Sequence, residues 1–187
     1  GLRRQVACFI RLGDCVWTDT GASIHREPWQ RPVALVFQDF GLFPHLNLLD
    51  NVLFAGGKPF RAQALMRSLD VWQLRYARPD KVSGGERQRC ASCQALARQP
   101  RLLLLDEPFS ALDPVTRRTL GGLLRQCAQS LGIPVILVTH DMEEALSLAD
   151  SVVTLVEGRL SGDWLDRRIE EMQRDLDRNQ ALFARCR

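Results

Sequence analysis

Three observations predict an α/β fold built on a parallel sheet. Strand-like apolar runs alternate with helix-like stretches along the 187 residues, the pattern of successive βαβ units. One run, Leu102-Leu103-Leu104-Leu105, is apolar without a break, which suits a strand buried on both faces. It ends abruptly in Asp106-Glu107-Pro108, at the carboxyl end where parallel sheets bind their ligands.

In chain order, Leu2, Val6 and Phe9 stand at helical spacing, so Gly1 to Phe9 reads as the tail of a helix. Ile10 to Leu12 and Cys15 to Trp17 flank Gly13-Asp14, a tight hairpin. Val33 to Phe37 is a buried strand entered from Pro32, with Gln38 at its carboxyl end. Phe40, Leu42, Phe43, Pro44 and Leu46 form an apolar, aromatic stretch without a clear period, which is either core or an exposed patch for a partner. Val52 to Tyr76 reads as two short helices around Gly56-Gly57, with Ala62, Leu65, Met66, Leu69 and Trp72 on one face. A further helix, Glu86 to Arg98, ends at Gln99-Pro100.

Pro114 opens a long helix through Gln129, and Gly132 closes it as the first residue past the cap. Gly121-Gly122 weakens its middle. Pro134 to Thr139 and Ser151 to Val156 are further strands, joined by a helix from Met142 to Leu148, and Gly158 turns the chain into a last short strand. From Asp163 a charged helix carries Leu165, Ile169, Met172, Leu176 and Phe183 on a heptad face, with Asn179 at the vacant place. That face is too short for a coiled coil, so packing on the parent domain is expected.

Composition bounds the function classes. The chain is 45% hydrophobic and 25% charged, ordinary for one globular domain. Its 25 basic and 22 acidic residues are too balanced to argue for nucleic acid or an anionic membrane surface. No run approaches the length of a membrane span, and no signal-peptide pattern opens the chain. Six cysteines, Cys8, Cys15, Cys90, Cys93, Cys127 and Cys186, show no zinc spacing beyond the lone pair Cys90-x-x-Cys93, so they read as reduced core residues.

The chemistry concentrates between Lys81 and His140. There stand Val82-Ser83-Gly84-Gly85-Glu86, the Leu102 to Glu107 strand, Ser110-Ala111-Leu112-Asp113 and Thr139-His140-Asp141. Each has a plain reading. Ser83-x-x-Glu86 is also a helix capping box, Asp106-Glu107 could be a strand-end turn, and His140 could be structural. Yet glycines in a first turn each cost roughly 0.5–1 kcal/mol against alanine, and there they let a phosphate approach bare N–H groups at a helix's positive end.

At these residues the chain resembles the nucleotide-binding domain of ABC transporters, over roughly residues 5 to 162. Val82 to Glu86 is similar to the signature motif and Leu102 to Asp106 to the Walker B strand with Glu107 following. Ser110 to Asp113 is similar to the D-loop, His140 to the switch histidine and Val36-Phe37-Gln38 to the Q-loop. Pro28-Trp29-Gln30-Arg31-Pro32 and Leu42-Phe43-Pro44-His45-Leu46 look most like bacterial importer ATPases of the molybdate, sulfate and polyamine group. The resemblance implies a RecA-like P-loop NTPase sheet of the ABC type with a helical subdomain. The domain would cover 1–162, with its core at 1–40 and 99–162, the helical subdomain at 41–98 and a C-terminal amphipathic helix at 163–187.

It further implies ATP and Mg2+ as cofactors. Asp106 would hold Mg2+ through water, Glu107 would act as general base, His140 would contact the γ-phosphate, and Gln38 would reach the metal and the water. Ser83, Gly84, Gly85 and Glu86 would close over ATP held by a second, head-to-tail ATPase subunit, which Asp113 would also contact. Phe40 to Leu46 would dock on a membrane-spanning permease subunit, placing the protein on the cytoplasmic face of the membrane, as a molybdate-like or related solute importer. The family's phosphate loop, GxxGxGK[ST], has no match. Gly56-Gly57-Lys58 comes nearest, but Pro59 follows it. The chain is therefore expected to begin in mid-fold, without the Walker A strand that lies beside the Val135 to Thr139 strand in the family, and to be inactive alone. A non-catalytic remnant or pseudo-subunit contributing only the signature half-site, and a non-transport ABC ATPase, are the alternatives.

Overall fold

The computed structural model describes residues 7–37, 40–110, 112–170 and 174. They belong to two compact units divided between Glu144 and Ala145, each taken by itself.

The first unit opens on an antiparallel sheet of β1 (Phe9–Leu12), β2 (Cys15–Asp19) and β3 (Ile24–His25). Gly13 takes φ 55° between Leu12 and Cys15, the positive φ that a primed hairpin turn needs at its first central residue. Phe9 corrects the reading of a helix tail, because it pairs with Asp19 as the first residue of β1. Ladder hydrogen bonds to β2 are available to it, and three apolar residues at helical spacing are a weak competing signal. Leu2 and Val6 lie outside the described residues.

The second sheet is the parallel one, in the order β4 (Val33–Val36), β5 (Leu102–Asp106), β6 (Val135–Val138). β5 is central, with Leu105 in register with Val36 on one side and Leu137 on the other. Leu103 is accordingly 0% exposed.

Three helices pack against one another: α1 (Leu48–Phe54), α2 (Pro59–Ser68) and α3 (Gly84–Ala97). Ala62, Leu65, Met66 and Leu69 are buried as their spacing predicts, while Trp72 is half-exposed, its ring under the Arg75 guanidinium at 4.6 Å. Gly56-Gly57 joins α1 to α2. Gly56 takes φ 92°, and a Cβ on Gly57 would lie 3.0 Å from Ala97 Cβ and 3.2 Å from the Val52 carbonyl oxygen. This junction is shaped by helix packing. α4 (Pro114–Ser130) runs as expected into Gly132, which closes it at φ 65°.

α5 (Met142–Leu148) spans the division into the second unit. There the predicted strand Ser151 to Val156 shrinks to β7 (Leu155–Val156), paired only with β8 (Arg159–Leu160) in an antiparallel hairpin. Glu157 and Gly158 take φ 49° and 76° in its turn. A two-residue turn closes that ladder locally, whereas joining the parallel sheet would require burying residues that stand open, Val153 being 73% exposed. Residues 163–170 are helical, with Leu165 and Ile169 half-buried; the rest of the heptad face, Met172, Leu176, Asn179 and Phe183, lies outside the described residues.

Cys90, Cys93 and Cys127 are buried free thiols, as expected, whereas Cys8, just before β1, and Cys15, at the start of β2, are only half-buried. Cys186 lies outside the described residues. No helix among the described residues is long and apolar enough to cross a membrane.

Candidate functional site

The candidate site lies at the carboxyl end of β5. Asp106 is exposed there, and among the described residues no hydrogen bond or ion pair holds its carboxylate. The next residue leaves the strand direction: Glu107 takes φ 45°, a left-handed conformation unusual for a side chain of its size, while its N–H still donates to the Val138 carbonyl at 2.9 Å. Such a conformation costs on the order of 1–3 kcal/mol and persists only where its surroundings fix it. Here they do. Pro108 and Phe109 are buried directly after it, and the Ser110 hydroxyl and N–H both donate to the Glu107 carbonyl, at 3.1 and 3.3 Å.

The Glu107 carboxylate faces His140, which leaves the end of β6. Nδ1 of His140 lies 3.0 Å from Glu107 Oε1. With Glu107 ionised, Nδ1 carries the proton and donates. Glu107, Ser110, Arg117, Thr139, His140, Asp141 and Glu144 line one small pocket.

Two groups in this pocket escape a motif search. Arg117 pairs with Asp141, and Glu144 is 6% exposed, its carboxyl pushed up by burial despite a hydrogen bond from Thr139. Asp141 closes the Thr139-His140-Asp141 motif, and its cap role was legible too, because Asp141 to Glu144 repeats the spacing of a helix-start cap and Asp141 Oδ1 does accept from the Glu144 N–H at 3.1 Å. The crossing of Arg117 to a residue 24 positions away leaves no trace in local pattern.

The signature stretch realises its plain reading in full. Ser83 is the N-cap of α3, its hydroxyl accepting from the Glu86 N–H at 3.3 Å, while Glu86 Oε2 accepts from the Ser83 N–H at 2.7 Å. The Ser83 N–H first, and then the Ser83 hydroxyl donating to Oε2 at 2.8 Å, hold the Glu86 carboxyl below its ordinary range. Gly85 is buried, and a Cβ there would lie 2.8 Å from Thr116 Cγ2. Close packing of α3 on the first turn of α4 therefore requires glycine at 85, whatever ligand the turn meets. Gly84 is half-exposed, and a Cβ there would make only an ordinary 3.8 Å contact with Leu112. Asp113 likewise caps α4, with Oδ1 accepting from the N–H groups of Val115 at 3.1 Å and Thr116 at 3.0 Å. Hydrogen bonds from the Thr116 side chain first, and then from the Thr116 N–H, hold its carboxyl below the usual range.

Gln38 lies outside the described residues. The stretch after it is ordered around Asn51, which is 0% exposed. Asn51 Oδ1 accepts from the Phe43 N–H at 2.7 Å, and its amide nitrogen donates to the carbonyls of Phe43 at 3.1 Å and Asn47 at 3.0 Å. The Phe43 ring meets Phe54 edge to face at 4.6 Å, with Pro44 and His45 exposed beside it.

Comparison with known proteins places the chain in a family. The family model described as ABC transporter matches residues 12–110, more than half of the chain. An uncharacterised ABC transporter ATP-binding protein of Escherichia coli K12, YdcT, is 42% identical over 141 residues, covering 71% of this chain and 42% of its own length. The spermidine/putrescine import ATP-binding protein PotA of Marinobacter nauticus is 40% identical over 175 residues, 89% of this chain and 45% of its own. PotA of Bacillus thuringiensis strain Al Hakam is 40% identical over 141 residues, 71% of this chain and 43% of its own. The chain thus spans less than half the length of these curated relatives.

Proposed function

The chain belongs to the ABC transporter family, and we propose that it carries the hydrolytic half of an ATP-driven importer subunit. The observation that carries this reading is the Glu107–His140 pair at the carboxyl end of the central strand, 3.0 Å apart and held by a strained backbone. Glu107 is the general base: its carboxylate, oriented by the His140 N–H, takes the proton of the water that attacks the terminal phosphorus of ATP.

The donor set fits Mg2+. Asp106 offers a hard carboxylate oxygen at the site's open edge, and one carboxylate completed by substrate phosphates and water is a usual arrangement for this ion. When bound, Mg2+ neutralises charge on the phosphate oxygens. Asp106 and Gln38 would hold it. Residues 41–98 form the helical subdomain, in which Ser83, Gly84, Gly85 and Glu86 close over ATP of a second, head-to-tail subunit that Asp113 also touches.

Phe40 to Leu46 is the docking stretch for a membrane-spanning permease, on the cytoplasmic face of the membrane. Pro44 and His45 stand exposed beside the half-buried Phe43, and the rigid Asn51 clamp supports them. The relatives named for spermidine and putrescine favour a polyamine over a molybdate-like anion as the solute.

The test uses the full-length protein with its permease in vesicles. Glu107→Gln should abolish ATP turnover while MgATP binding persists. Phe43→Ala should keep turnover and lose transport of spermidine. Turnover surviving in Glu107→Gln would overturn the assignment of the base.

A further inference from the structure

Resting on the hydrolytic reading of Glu107 and His140, we propose that Arg117 is a positioning residue, a strap through which the first turn of α4 holds the His140 loop in register with Glu107. Three elements meet on that turn. Thr116 lies so close to Gly85 that a Cβ there would approach it to 2.8 Å, which fixes the signature turn of α3 against α4. The next residue, Arg117, turns the other way. Its Nη1 pairs with Asp141 Oδ2 while Nη2 donates to the Leu112 carbonyl at 3.2 Å, so one guanidinium joins the segment just before Asp113 to the segment just after His140.

Asp141 is fixed on its other sides as well. Its Oδ1 accepts from the Glu144 N–H at 3.1 Å, and its own N–H donates to Thr139 Oγ1 at 3.0 Å. The backbone that carries His140, between Thr139 and Asp141, is therefore held by this frame, and the 75% exposed imidazole approaches Glu107 from it.

The neighbouring pair gives the contrast. Arg118 pairs with Glu143, but those side chains are 72% and 66% exposed, whereas Arg117 and Asp141 are 25% and 31% exposed. Exposed pairs contribute little; a partly buried, charge-assisted pair is stronger and less screened by salt. The helix does not need the Arg117 side chain, since its backbone N–H already donates to the Asp113 carbonyl at 2.9 Å. A base and its orienting group act only within narrow geometry, so a shift in the first turn of α4 would reach the site through this guanidinium.

The experiment compares Arg117→Gln, Arg117→Lys, Asp141→Asn and the double variant Arg117→Gln/Asp141→Asn in the full-length protein, with Arg118→Gln as control. Asp141→Asn keeps the oxygen that caps α5 and removes the charge. Arg117→Gln should lower kcat roughly ten- to a hundredfold, the cost of a misplaced catalytic group, with KM for MgATP little changed. The double variant should be no worse than the poorer single one, Arg117→Lys should recover part of the rate, and Arg118→Gln should match wild type. Independently of turnover, hydrogen exchange at the amides of residues 139–144 should quicken in Arg117→Gln and not in Arg118→Gln. Additive losses in the double variant, or unchanged exchange, overturn the strap. A wild-type protein that turns over no ATP defeats the hydrolytic reading instead, and exchange still decides whether Arg117 holds the loop.

Discussion

β5 and β6 are nearly indistinguishable as sequence, Leu-Leu-Leu-Leu against Val-Ile-Leu-Val, yet they end in opposite environments. Leu103 and Leu105 are 0% and 3% exposed, while Val135, Ile136 and Val138 are 39%, 52% and 55% exposed. β5 has a strand on each side; β6 has one, and among the described residues no further strand pairs with it. Burial is therefore set by sheet position. An apolar run states that a strand wants partners, without stating how many it has. The same sheet sets Asp106, the last residue of β5, and Glu107 after it apart from an ordinary turn, because β6 runs parallel beside β5 and the chain leaving β6 brings His140 to Glu107.

The largest expected effect tests that contrast directly. In this 187-residue chain, Leu103→Ala should cost about 2–5 kcal/mol, as buried leucine truncations do, while Ile136→Ala should stay within about 0.5 kcal/mol, as surface substitutions do. Urea unfolding of the two variants measures both. Equal losses would mean that β6 is covered in solution, by another copy or by residues beyond those described. Ile136→Lys sharpens the point: a charge on an open apolar edge blocks strand pairing between chains, so light scattering should fall.

A smaller effect is chemical. Burial pushes the Cys90 thiol up to about 12 and raises Cys93 in the same direction. At pH 8 a thiol of that acidity is a thiolate in only about one molecule in ten thousand, and the thiolate is the nucleophile. Iodoacetamide at pH 8, followed by mass spectrometry of the native protein, should therefore label Cys8 and Cys15 well before Cys90 and Cys93. Early labelling of the α3 pair would show that the helical cluster opens as readily as the hairpin sheet.

Much of this was legible in the sequence. β5, α4 with its Gly132 stop, α5, the Gly13 hairpin and the signature cap all follow from local pattern, since turn chemistry, caps and uninterrupted apolar runs act over a few residues. Asp106, Glu107 and His140 were legible as a set because strand ends in a parallel sheet converge. What local pattern could not carry was long-range pairing. The strand expected at Ser151 to Val156 kept only Leu155 and Val156, paired with β8, Phe9 joined β2, and Arg117 reached Asp141 across two elements. Gly85 taught a further lesson: a glycine that reads as open to phosphate is also required by Thr116, which comes from a different helix.

The smallest effect concerns the cap that starts α3, where a plain structural role and a proposed ligand-facing role share the same atoms. Glu86 accepts from the Ser83 N–H at 2.7 Å and the Ser83 hydroxyl at 2.8 Å, and these bonds hold its carboxyl below the ordinary glutamate range. Because the folded carboxyl is the stronger acid, the cap stabilises the fold fully at pH values above the ordinary range and loses that stabilisation as pH falls through the folded value. Glu144 runs the other way. Its carboxyl is raised by burial, so it favours the folded chain where it is protonated and disfavours it increasingly as pH rises through and beyond the ordinary range. Glu86→Gln keeps an acceptor at the third helical position of the capping box and removes the titration. Stability at pH 7 should fall by no more than about 1 kcal/mol, the usual scale of a cap, and the variant's loss of stability between neutral and acid pH should be shallower than wild type. Thermal unfolding across pH 3 to 7 measures the difference. An unchanged acid slope would mean that the Glu86 carboxylate does not hold the cap in solution, leaving it free for the ligand of the signature turn.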